Sequence, residues 1–497
     1  LTGIIKEMNK LQRKTMKNSI SKKRLPQKPG SISINFANTV LVLGFLISLI
    51  IVFFSLYRYN YLIIPTKKSF YIVIIIFFVT LAFLFLFSLR LSYQLKVNLS
   101  VFLFTFTISV YFFEFFLAYL NLQRDRSAET IAKNTNIEFD YRTKMEVIDD
   151  IRKDGIEVYP NILPSFFLKK QLYLKEKKEL LFPLGMISNT STILNNELGF
   201  YPIIKTDEFG FNNNSSNYLK KRIDIILTGD SFTEGYSVNA DDNIGSVLRE
   251  FGYNSISVGK GSNSSLIELA AVKEYAEPLK PKIVLWLYWN NDLRDLKGEM
   301  ESEYLKQYLD NVDFSQNLIS RQDEIDKSLI EYVNEKWEVQ RVKFNEGDRN
   351  WELEKWNYLK INIINIIKLT NLRLRAGMTP STKKNHAQED NLKDFKKIIN
   401  TAKKMVANWN GKFYFLEIPS HSKVKGKIAE DQFSYDVLQI VKELDIPIID
   451  LYSMGFKGKK EVDSLYSRKH FTAKGYRLVA ETIAKRLKSD GFLPSKD

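Results

Sequence analysis

The sequence predicts an α/β domain built on a parallel sheet, preceded by three membrane-spanning helices. Three observations carry this. Long uncharged apolar runs are confined to the first 120 residues. Short, nearly continuous aliphatic strands recur after residue 220, several of them ending in turns of small polar residues. Amphipathic helical patterns lie between those strands, as a parallel sheet requires.

The chain has 497 residues, 45% of them hydrophobic, so it can hold more than one unit and bury a large core. Cysteine is absent, which excludes disulfides and thiolate metal sites. The histidines are His386, His421 and His470, so any imidazole base is one of these three. The net charge is +15, yet nine basic residues and a single acid fall within the first thirty positions, just ahead of an apolar run. That placement fits membrane orientation and not nucleic acid as a partner.

Residues 1–35 read as a basic cytoplasmic tail and 36–120 as three transmembrane helices. Phe36–Leu56 and Phe70–Leu89 carry no charge, and a third run covers Leu99–Leu120. Each is long enough to cross a hydrocarbon core. The first is too long for a cleaved signal, and two more follow it. A cytoplasmic tail and three crossings place everything after Leu120 on the far side, periplasmic or extracellular for a bacterial inner-membrane chain. The lipid bilayer is therefore the first expected partner. Glu114 lies inside the third run; an intramembrane carboxylate is a functional candidate, and the preferred reading is that it reaches the interface or pairs with another helix.

Residues 121–219 read as an extracytoplasmic preamble. A helix is expected over Thr143–Lys153, and Asn189, Asn195, Asn196 and Gly199 mark turns. No chemistry is expected there. The α/β domain spans 220–497. Its first strand, Ile223–Leu227, runs into Gly229-Asp230-Ser231, which lifts a hydroxyl above the carboxyl end of the sheet. Open α/β sheets bind ligands at that end. A serine there, followed by a helix start, is exposed and close to amide donors, as a nucleophile must be; an ordinary turn has the same composition.

A second strand, Ser255–Val258, leads into the small-residue loop Gly259–Ser265, which lets backbone amides approach a ligand. The third, Lys282–Tyr288, ends in Trp289-Asn290-Asn291-Asp292, whose side chains either donate to an oxyanion or cap the next helix. Strands over 413–418 and 446–450 complete the sheet. Thr472 is the expected N-cap of a closing helix that runs through Leu487. A charged helical insertion over about 296–392 interrupts the domain, with helices at 300–309, 325–344 and 351–372 and a flexible exit at 380–385. It either caps the site or packs as a solvated decoration. His386 is expected to be solvated and His421 structural.

The order of Gly229-Asp230-Ser231, a Gly-rich loop, Asn291-Asp292 and a late His470 resembles the SGNH (GDSL-type) hydrolase superfamily, from about Arg222 onward. The resemblance implies a three-layer α/β/α, flavodoxin-like fold. It implies Ser231 as nucleophile, His470 as general base, and an oxyanion hole formed by the amides of Ser231 and Gly261 and the side chain of Asn291. The sequence departs from the family's pattern twice. Trp289 stands at a glycine position of the third block, and Ser467 stands three residues before His470, where the family carries its acid. Asp463 is the nearest upstream carboxylate and the candidate acid; the alternative is a Ser-His dyad oriented by a backbone carbonyl.

The layout also resembles membrane-tethered bacterial SGNH proteins. It implies an ester hydrolase or O-acyltransferase acting on acyl groups, often acetyl, of an envelope glycan or lipid, with no metal or other cofactor. A non-catalytic binding or assembly protein on the same scaffold, with an envelope-assembly partner, is the alternative.

Overall fold

The computed structural model describes residues 30–61, 65–123, 128–169, 171–174, 178–215, 218, 222–345, 363–375, 386–426 and 432–494. Residues 1–29 of the expected basic tail and the 380–385 exit segment lie outside these, while residues 31–35 open the first apolar helix. The chain divides into two compact units: residues 1–123 with 355–379, and residues 124–354 with 380–497. The expected insertion over 296–392 is therefore not one element. Its two ends belong to the second unit, and a central piece belongs with the apolar helices.

The first unit contains α1 (Ser31–Tyr61), α2 (Pro65–Ser88) and α3 (Tyr93–Gln123). All three contain stretches long and apolar enough to cross a membrane: Ser31–Tyr57, Tyr71–Ser88 and Tyr93–Tyr119. Their outer faces are lined with exposed aromatic rings such as Phe53, Phe83 and Phe112, a surface suited to lipid rather than water. Some polar residues, such as Ser48, Ser55 and Ser100, turn inward. Ser100 donates to the carbonyl of Ala37 at 3.2 Å, and Lys96 donates to Asn38 at 3.2 Å, tying α3 to α1. Such inward bonds satisfy groups that lipid cannot.

The second unit begins with α4 (Ala128–Asn134) and α5 (Lys144–Lys153). Thr143 caps α5 with a reciprocal bond to Glu146, the helix start its sequence predicts. Short strands β1 (Val158–Pro160), β2 (Leu172–Leu174), β3 (Glu179–Leu181), β4 (Ser191–Ile193) and β5 (Ile203–Lys205) follow. They form a three-stranded sheet, β1-β4-β5, and a two-stranded one, β2-β3.

The main sheet contains β6 (Ile225–Gly229), β7 (Ser255–Ser257), β8 (Ile283–Tyr288), β9 (Lys412–Glu417) and β10 (Ile448–Ile449), in the order β10-β9-β8-β6-β7. Every neighbouring pair is parallel. Read by appearance this is 2-1-3-4-5, the flavodoxin-like order. The helices include α6 (Ser231–Glu234), α7 (Ile244–Glu250), α8 (Ser265–Ala271), α9 (Asp292–Met300), α10 (Glu303–Asp310), α11 (Gln322–Asn345), α12 (Thr370–Arg375, in the first unit), α13 (His386–Asn408), α14 (Gln432–Glu443) and α15 (Ala473–Ser489).

Alternation along the strands feeds two cores. Ile226, Val284, Trp286, Phe413 and Phe415 pack with α8, α13 and α14 on one face. Ile225, Leu227, Leu285, Leu287 and Leu416 pack with α7 and α15 on the other. Burial on both faces explains why the strands read as continuous apolar runs rather than alternating ones. Leu305, Leu329, Val333 and Trp337 of α10 and α11 join the first core, together with Val158, Phe182 and Ile193 of the preamble. The beginning of the insertion is thus core, not a separate decoration, and the preamble is part of the same packed body.

Buried carboxylates under the sheet's carboxyl end make stability depend on pH. Glu268 and Asp292 are fully buried. Burial, reinforced by neighbouring carboxylates, holds both well above the usual range. Asp230 is pushed up to about 6, chiefly by burial. Folding therefore retains protons that the unfolded chain releases above about pH 4 to 4.5. A raised acid pKa contributes stability that is lost as pH rises, at up to about 1.4 kcal/mol per pH unit for each group. We expect Glu268→Gln to raise the melting temperature of the detergent-solubilised protein at pH 8 and to change it little near pH 4. An equal effect at both pH values would contradict this linkage.

Candidate active site

Ser231 sits immediately beyond β6, at the start of α6, with Asp230 as its N-cap accepting from the Phe232 amide at 2.9 Å. The preceding turn passes so close to β8 that a Cβ on Gly229 would lie 2.8 Å from the Leu287 carbonyl. Only glycine fits there. The Ser231 side chain is left half-buried, at the crevice between the first and third strands where the winding of the sheet reverses.

His470 comes from the loop before α15, which Thr472 caps through the Gly475 amide as expected. Its Nε2 lies 2.7 Å from Ser231 Oγ. Residues 239 positions apart therefore meet, as the resemblance implies. The imidazole is 8% exposed and lies between the rings of Phe232 and Tyr236, at centroid distances of 4.9 and 5.1 Å. Those rings restrict how it can turn.

The carboxylate facing its other nitrogen is not Asp463. Glu197 Oε1 lies 3.0 Å from His470 Nδ1. Its second oxygen accepts from the Ser467 hydroxyl at 2.7 Å and from the amides of Lys469 and His470 at 3.2 and 3.3 Å. Ser467 thus holds the Glu197 carboxylate from the place where the family carries its acid. Burial alone would raise the Glu197 pKa; the His470 hydrogen bond and charge, Ser467 and the Lys469 amide outweigh it and hold the group at about 2. Asp463 instead accepts from His421 Nε2 at 2.8 Å and pairs with Lys425 on a more exposed part of the surface. The side chain of His386 lies outside what the structure describes.

Glu197 lies in the preamble, where the sequence suggested no chemistry. It is 34 positions before Ser231 and 273 before His470, so no local spacing announces it. One signal was present: Ser467 leaves the imidazole without its usual acid, and Asn195-Asn196-Glu197 places a carboxylate in a turn flanked by apolar Leu198 and Phe200.

Two of the three expected oxyanion donors, Gly261 and Asn291, are engaged internally. The Gly261 amide donates to Glu234 Oε2 at 2.7 Å. Asn291 begins α9, and its Nδ2 donates to Asp295 at 2.9 Å. Trp289, at the family's glycine position, packs on Phe232 with ring centroids 4.9 Å apart. Beneath Gly261 lies a fully buried ion pair, Lys260 with Glu234, to which Asn161 of the preamble adds bonds of 2.6 and 2.9 Å. Among the described residues, no group of three or more histidine or acidic side chains is arranged to hold a metal ion.

Strand order, the serine beyond the first strand and the histidine before the closing helix agree. The fold is the three-layer, flavodoxin-like α/β/α arrangement that the resemblance implies. No family model matches the sequence, and no curated protein does. Solved structures that the chain matches include the lipase/acylhydrolase from Enterococcus faecalis, at 12% identity and a TM-score of 0.29, covering 55% of this chain and 100% of that one. Another is the psychrotrophic esterase EstA from Pseudoalteromonas sp., in a structure inhibited by monoethylphosphonate. It shows 12% identity and a TM-score of 0.26, with coverage of 53% of this chain and 96% of that one.

Proposed function

We propose that the protein is a membrane-anchored serine ester hydrolase or O-acyltransferase that works through an acyl-serine intermediate. The observation that carries this reading is the continuous relay Ser231 Oγ, His470 Nε2, His470 Nδ1, Glu197. His470 takes the Ser231 proton as Oγ attacks the ester carbonyl. Glu197 fixes the tautomer that leaves Nε2 free to accept and stabilises the imidazolium that forms. His470 then returns the proton to the leaving alcohol. Water or a sugar hydroxyl, deprotonated in turn by His470, releases the acyl group.

In this reading the amide of Ser231 and the second amide hydrogen of Asn291 receive the oxyanion. Gly261 joins them when Glu234 releases its amide. The substrate proposed is an acyl, chiefly acetyl, ester of an envelope glycan or lipid. The location proposed is the bacterial inner membrane, with the second unit on the far side, in keeping with the basic tail ahead of the first span. No cofactor takes part.

A fluorophosphonate probe tests the chemistry. It should label the full-length protein on the peptide containing Ser231, and His470→Ala should cut the labelling rate at least about a hundredfold, the scale of one general base. Absence of labelling would instead favour a binding or assembly protein. Comparing the acyl content of envelope glycans with and without the protein separates removal from transfer.

A further inference from the structure

Glu114, the carboxylate in the third apolar run, is fully buried. Its partners come from a segment more than 250 positions later. Oε1 accepts from the Asn371 amide at 2.9 Å and from Asn371 Nδ2 at 2.8 Å, and Oε2 accepts from the Leu372 amide at 2.7 Å. One helical turn earlier on α3, the Tyr111 hydroxyl reaches the Ile367 carbonyl at 3.3 Å. Both α3 residues fall within the membrane-spanning stretch Tyr93–Tyr119, toward its later end. The attached segment, residues 363–375, is two short helical pieces, 363–367 and Thr370–Arg375. It belongs to the same compact unit as the three apolar helices.

The composition of this segment is that of an interfacial element. Ile363 and Ile367 are 56% and 62% exposed, which is costly in water and favourable in acyl chains. Lys368, Arg373 and Arg375 are also exposed, and no acid lies between residues 363 and 375. Branched apolar side chains beside unopposed cations, at membrane depth, match a bilayer surface bearing anionic headgroups. The bond to Glu114 accounts for both sides of an otherwise unfavourable arrangement. The carboxylate gains backbone donors where water is scarce, and amides in the first turn of the Thr370–Arg375 helix gain an acceptor.

We propose that residues 363–375 form a fourth membrane-contacting element, latched to the third span by Glu114, that inserts its isoleucines among the lipids and binds anionic headgroups. The absence of cysteine makes the test direct. Full-length Ile363→Cys and Ile367→Cys variants are labelled with bimane in vesicles of phosphatidylcholine alone or with phosphatidylglycerol. Brominated acyl chains should quench both positions about as strongly as a lipid-facing control, Phe112→Cys. Quenching should be at least twofold deeper in the anionic vesicles, and aqueous iodide should reach neither position. Glu114→Ala should reverse the pattern, giving iodide access and loss of lipid quenching.

Iodide quenching in the parent variants would overturn the proposal. So would shielding from both quenchers, which indicates a protein contact, or equal lipid quenching in the two vesicle types. If Glu114→Ala fails to fold, the parent variants still decide the matter.

Discussion

Glu197→Gln is expected to lower kcat on a small acetyl ester by about a thousand- to ten-thousand-fold, the penalty that follows when a triad acid is replaced by its amide. The reason is the tautomer. A carboxylate accepts the Nδ1 hydrogen and leaves Nε2 as the acceptor facing Ser231 at 2.7 Å. An amide can present its NH2 to Nδ1 instead, which puts the hydrogen on Nε2 and disables the base. The negative charge that steadies the imidazolium is lost as well. Gln still offers an oxygen to Ser467 and the Lys469 amide, so the loop should keep its place and the melting temperature should move little.

Asp463→Asn is the control. Its carboxylate is engaged by His421 and Lys425, so activity should stay within about threefold, the surface-charge range. A large loss at 463 with little at 197 would reverse the assignment. A drop at 197 accompanied by unfolding would reduce that residue to a structural role, and comparing kcat with melting temperature distinguishes the two.

The contrast between these acidic residues shows what a sequence can carry. The strands of the sheet were legible because burial on both faces leaves an uninterrupted apolar signature, and the Gly229-Asp230-Ser231 turn because Gly229 is required sterically. The histidine was legible because only three exist. Glu197 was not, because its role depends on the preamble folding into the same core, which leaves no periodic pattern across the 273 residues to His470. The division of the insertion was hidden for the same reason. Helical spacing shows that Leu329, Val333 and Trp337 share a face, but not that this face joins the α/β core while residues 363–375 join the membrane helices.

Lys260→Met should destabilise the second unit by about 3 to 5 kcal/mol, the cost of stranding one member of a buried ion pair. Both side chains are fully buried. Burial disfavours the Lys260 ammonium and lowers its pKa, and the Glu234 charge and hydrogen bond oppose that shift. Remove the lysine and Glu234 keeps Asn161 and the Gly261 amide but loses its only bonded cation among the described residues. Because Asn161 comes from the preamble, the damage should also loosen the segment that delivers Glu197, so activity should fall with stability. The double variant Lys260→Met, Glu234→Leu replaces the pair by apolar volume, which is often neutral or stabilising. It should recover most of the lost melting temperature, giving a coupling well above the 0.5 kcal/mol expected of independent sites. It also frees the Gly261 amide, so its kcat relative to the parent tests whether that donor serves the oxyanion. Additive losses in the double variant would show that the two charges do not act as a pair.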